Sequence, residues 1–80
     1  MNTTQKLGEY CKHYRVNILG LTRKELAPNT NPQTLAQFEV GNSTNLTHFI
    51  NYVNAIKEPE IQLEFIKGFT QIIKETDNYD

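Results

Sequence analysis

Between Gly20 and Gly41 the chain is so densely punctuated that it has room for only two short helices, one directly after the other. Thr22-Arg23-Lys24-Glu25 is a capping box. In such a box the Thr hydroxyl accepts from the amide three residues on, and the Glu carboxylate reaches back to the Thr amide. A helix therefore starts at Thr22, with Leu26 and Ala27 inward. Pro28 blocks its continuation, because proline has no amide hydrogen and clashes with the preceding turn. Asn31 then suits an N-cap and Pro32 the first position of a new helix. Leu35 and Phe38 point inward from it, Gln33, Thr34 and Gln37 point away, and Gly41 ends it.

The flanking segments carry helical periodicity. Leu7, Tyr10, Cys11 and Tyr14 fall at i, i+3, i+4 and i+7 and predict a first helix over residues 4–17. Cys11 reads as a buried small hydrophobe and His13 as solvated. Ile18, Leu19 and Leu21 read as an apolar connection folding back on the core, with Gly20 as the stop. After a polar loop at residues 42–45, Leu46, Phe49, Ile50, Val53 and Ile56 predict a fourth helix with that stripe inward and His48 beside it at the surface. Glu58 as cap and Pro59 in the first turn open a fifth helix that runs to about residue 75, with 76–80 a frayed tail. This helix is apolar over much of its circumference. Ile61, Phe65, Phe69 and Ile72 make one stripe, and Leu63, Ile66 and Ile73 a neighbouring one. Two stripes call for two partners, the domain core and a second subunit.

Eighty residues make a single domain, 1–80, with a modest core that oligomerisation commonly supplements. The lone Cys11 excludes a disulfide framework, and with two distant histidines it excludes a thiolate zinc site. The chain shows no apolar signal core and no membrane-length apolar run, so a cytoplasmic location is expected. There is no serine–histidine–acid set, glycine-rich phosphate loop or pair of carboxylates in an apolar stripe. The chain is therefore read as a non-enzyme with no cofactor and no metal. Net charge is −1, but it is unevenly spread: residues 1–56 carry +2 and residues 57–80 carry −3. Any anion-binding surface belongs to the first half, and uncharged side chains and backbone amides must supply many of its contacts.

Five helices with a short second one followed at once by a third is the helix-turn-helix layout. Gly8, Cys11, Tyr14 and Arg15, then Gly20-Leu21-Thr22-Arg23-Lys24-Glu25-Leu26-Ala27, resemble the first two helices of the Cro/repressor (Xre-like) family. Residues 34–41 resemble the end of that family's recognition helix and its glutamate-x-glycine stop. The resemblance covers about residues 4–56 and implies a compact all-α, five-helix domain of the Cro/repressor type. There are departures. The stretch from Ala27 to Glu39 is about two residues shorter than the family pattern. The usual turn glycine is replaced by Asn29 or Asn31, either able to tolerate a left-handed conformation. The third helix has no Lys or Arg.

The resemblance implies that Thr22 and Arg23 contact phosphate, that Gln33, Thr34 and Gln37 face base edges, and that Asn42, Ser43 and Thr44 meet phosphate past the helix end. Glutamine matches adenine N6/N7, and a threonine methyl can touch the thymine methyl. It also implies a structural ion pair between Arg15 and Glu39. The expected function is sequence-specific binding of double-stranded DNA by a homodimer joined through Leu63, Ile66 and Ile73. Such a protein would act as a repressor-like transcriptional regulator of phage or mobile-element kind. The alternative is a protein-interaction module that keeps the fold without binding DNA, such as a mobile-element anti-repressor or inhibitor. A third reading is a purely oligomerising structural subunit.

Overall fold

The computed structural model describes residues 2–77, so the frayed tail expected at 76–80 falls largely outside the described residues. They fold into five α-helices: α1 (Thr3–His13), α2 (Arg23–Leu26), α3 (Pro32–Glu39), α4 (Leu46–Ala55) and α5 (Pro59–Asp77). No strand occurs among the described residues, and none of the helices is long and apolar enough to cross a membrane. α1 packs on α3 and α5, α2 on α3 and α4, and α4 on α5.

Local chemistry accounts for most helix ends. The Thr22 hydroxyl accepts from the Glu25 amide at 3.1 Å, and Glu25 accepts from the Thr22 amide at 2.9 Å. A second box sits at the start of α1, where Asn2 accepts from the Gln5 amide and Gln5 from the Asn2 amide. Asn31 and Asn45 cap α3 and α4 by accepting from the amides two residues on. Gly20 (φ 65°) and Gly41 (φ 90°) are the only described residues with positive φ. Left-handed backbone crowds a Cβ against the following carbonyl, so glycine holds these two stops. Neither Asn29 nor Asn31 takes the left-handed conformation that either could tolerate; Asn31 is extended (φ −62°, ψ 124°) and serves as the cap of α3.

Three expectations are corrected. The first α-helix does not run to Asn17. It widens after His13 into a π-helical segment, Tyr14–Leu19, closed by Gly20 and Leu21 amides donating to the Arg15 carbonyl. Ile18 does not join the core and is exposed, whereas Leu19 and Leu21 pack against it. On α4 the expected stripe is only partly inward. Ile56 is buried and Phe49 and Val53 are half-buried, but Leu46 and Ile50 face solvent while His48 and Tyr52 are buried.

The core consists of Cys11, Leu26, Ala27, Leu35, Phe38, Tyr52, Ile56 and Phe65. Phe65 of α5 is its aromatic hub: its ring lies 5.3 Å from Tyr10, 4.8 Å from Tyr14 and 5.6 Å from Phe49, within the range of favourable ring pairs. Tyr10 also donates to the Phe65 carbonyl at 3.0 Å, which ties α1 to α5 and satisfies the hydroxyl. Gly8 lets α1 lie directly on the C-terminal end of α3.

Candidate nucleic-acid interface

α3 presents two different faces. Leu35 and Phe38 are buried, while Gln33, Thr34 and Gln37 are exposed and line a shallow depression with Asn31 and Ala36. The exposed face is polar and uncharged. Gln37 accepts from the Asn42 amide group at 2.7 Å, which bridges the helix to the loop that follows it. A bidentate adenine contact uses both the oxygen and the nitrogen of a glutamine. Gln37 must exchange its Asn42 bond to make one. Thr44 is exposed, and Ser43 is half-buried with its hydroxyl 3.4 Å from the Asn45 amide.

Beneath that face lies a buried charge cluster. Glu39, at the end of α3, has a fully buried carboxylate. Arg15 donates to it through Nε at 2.7 Å and Nη2 at 3.2 Å, and through Nη1 to the Leu21 carbonyl at 2.8 Å. Arg23 donates through Nε at 2.9 Å, and the Tyr52 hydroxyl donates to Oε2. One carboxylate thus joins the π-helical segment after α1, the start of α2, the end of α3 and the middle of α4. Burial pushes the Glu39 carboxyl up, but the bonds from Arg15 and Tyr52 and the charges of Arg15 and Arg23 outweigh it and hold it below the usual carboxylate range. Burial and the Glu39 bond push the Tyr52 hydroxyl up, so it remains a donor at neutral pH.

The cluster changes the standing of Arg23. Sequence reasoning placed it on phosphate; its Nε donates to Glu39, with about a third of the side chain (34%) exposed. Thr22 caps α2 with its hydroxyl oxygen, which leaves the hydroxyl hydrogen as its donor. Two arginines around one carboxylate leave a net charge of +1 beside the α2–α3 face.

Sequence reasoning missed two residues. Tyr52 lies off the apolar stripe of α4 and had no signal beyond being an aromatic with a polar tip near the middle of that helix. His48, expected at the surface, is buried (4% exposed) against the Phe38 ring at 5.4 Å. Its Nδ1 has no hydrogen-bond partner among the described residues. Cys11 is buried, and burial, with Glu39 nearby, pushes its thiol up, away from nucleophilic chemistry. Among the described residues no three or more His, Cys, Asp or Glu side chains gather as a metal site.

Fold and cluster together define a small all-α, five-helix domain in which a four-residue capped helix and the helix after it are locked to the π-helical segment and to α4 by one buried glutamate. Comparison with family models, with curated proteins and with solved structures finds no match to this chain.

Proposed function

We propose that this protein is a sequence-specific DNA-binding transcriptional regulator of the cytoplasm that reads the major groove with α3. The observation carrying this reading is the outer face of α3: Gln33, Thr34 and Gln37 stand exposed on a helix whose other side is anchored by Leu35 and Phe38. A rigid helix bearing uncharged donors and acceptors suits base edges, which are read by hydrogen bonds and methyl contacts rather than by net charge. Phosphate contacts then come from Thr22, from Asn42, Ser43 and Thr44, and from whatever donors Arg23 retains outside its bond to Glu39. Repression follows from occupying a promoter.

The direct test is selection from random duplexes with the purified protein, followed by a salt titration. Gln33→Ala and Gln37→Ala should each weaken binding to the selected duplex by about 1–3 kcal/mol while circular dichroism stays unchanged. Arg23→Met should weaken all duplexes alike and flatten the salt slope. If both glutamines are silent, α3 does not read bases.

One observation favours a second reading, a protein-interaction module of the anti-repressor or inhibitor kind. Both arginines of the α1–α2 region donate to Glu39, and α3 itself has no basic residue. Non-specific DNA affinity comes almost wholly from cationic contacts. A protein that retains no duplex even at low salt belongs to this second class.

A further inference from the structure

We infer that the exposed apolar seam between α4 and α5 is covered by a second copy of this chain. Leu46 (66%) and Ile50 (45%) on α4, with Leu63 (53%), Ile66 (37%) and Ile73 (41%) on α5, are five of the large apolar side chains most open to water. They are not scattered. At ~100° per residue, Leu46, Ile50 and Val53 form one strip along α4, and Ile66, Phe69 and Ile73 form one along α5, with Leu63 at its outer edge beside Lys67. The strips meet along a common floor: the Phe49 and Phe69 rings are 4.0 Å apart, and Gln62 donates to the Val53 carbonyl at 2.8 Å. At one end, Leu46 and Ile73 overhang an apolar depression of about 210 Å³ floored by Phe38, Phe49 and Phe69.

The occupant follows from charge and area. α4 contains no Asp, Glu, Lys or Arg. Of the charges of α5, Glu60, Glu64, Lys67, Lys74 and Glu75 fall on its flank away from the strip, and Asp77 comes four residues after Ile73, beyond the strip's end. A partner of marked charge finds nothing here to complement it. A two-fold dimer brings a patch against itself, which a neutral face allows and a charged one opposes. The five side chains expose on the order of 500 Å², the size at which apolar patches mark association sites. With a polar rim this approaches the ~800 Å² per partner of a standard interface. Burying His48 and Tyr52 on α4 is what turns Leu46 and Ile50 outward, so the seam joins both helices and is wider than the α5 stripe alone.

The inference is independent of DNA binding, and so is its test. Sedimentation velocity across micromolar concentrations should show the wild type as a dimer. Leu46→Glu and Ile66→Glu should each raise the dimer dissociation constant by about 100-fold or more, as loss of a central apolar anchor does. Leu46 is too exposed for its change to disturb the core, and Ile50→Ser supplies a milder variant should a glutamate unfold the domain. Ile18→Glu, exposed but off the seam, should leave the dimer intact. A wild type that remains monomeric at high concentration overturns the proposal and gives the seam to a different protein. Seam variants that remain dimeric overturn it as well. Duplex selection stands apart: a dimer that binds no DNA removes only the DNA reading.

Discussion

Glu39→Ala is expected to cost about 3–5 kcal/mol, the scale for stranding a buried charge by removing its partner. A domain of this size has a net stability of only ~4–12 kcal/mol, so the loss is a large share of it and should lower Tm by more than about 10 °C. Arg15 is the charge left behind, with 8% of its side chain exposed. Arg15→Met should cost less, because Arg23 and Tyr52 still satisfy Glu39. The double replacement Arg15→Met/Glu39→Met should cost less than Glu39→Ala alone, since no unpaired charge remains. A double-mutant cycle by urea unfolding checks this, and additive losses would mean that the pair is not coupled. The cluster also sets a pH dependence. The folded Glu39 carboxyl is held below its unfolded value of about 4.3, so its stabilisation is complete above that value. It is lost as pH falls through the lower, folded value. The wild-type stability curve should therefore drop in the acid range below about pH 4, and Glu39→Gln should lose that part of the drop.

Gly8→Ala is expected to destabilise by about 3 kcal/mol, toward the upper end for overpacking. The usual effect in a helix has the opposite sign: replacing glycine by alanine stabilises by ~0.5–1 kcal/mol through backbone entropy. At Gly8 a Cβ would stand 2.6 Å from the Glu39 carbonyl oxygen and 2.8 Å from its carbon, with the Phe38 carbonyl also in the way. All of these are backbone atoms and cannot swing aside. α1 and α3 would have to separate, and Arg15 would then be drawn away from Glu39. A fall in Tm of more than about 10 °C is the expected result in a thermal melt. An unchanged or raised Tm would show that α1 and α3 do not need this close approach. Gly20→Ala supplies a contrast. No atom lies within 4 Å of a Cβ there, and only the positive φ resists it, so the loss should be nearer 1 kcal/mol.

The division of the chain into helices was determined by the sequence itself. The capping box at Thr22, Pro28, the Asn31-Pro32 start and the stops at Gly20 and Gly41 all act within a few residues. Hydrogen-bond geometry and allowed φ values are local, so these signals hold whatever surrounds them. The same holds for α3, whose apolar Leu35 and Phe38 sit opposite Gln33, Thr34 and Gln37, and for the leftover stripe on α5. Arg15 and Glu39 stood out through the resemblance of their surrounding motifs to a known family. What only the tertiary structure decided is which arc of α4 turns inward. Periodicity shows that Leu46, Phe49, Ile50 and Val53 share a side of the helix; it does not show what the rest of the domain requires from that helix. Glu39, with its carboxylate fully buried, takes a further donor from that helix. A buried carboxylate short of partners costs several kcal/mol, whereas leaving a leucine in water forfeits ~1.5–3 kcal/mol. Tyr52 therefore turns inward to donate, His48 one turn before it goes with it, and Leu46 and Ile50 are left outside. Arg23 is drawn onto the same carboxylate for the same reason. A charge cluster built from four helices has no local signature, because its members lie 8 to 37 residues apart in the chain and meet only when the helices pack.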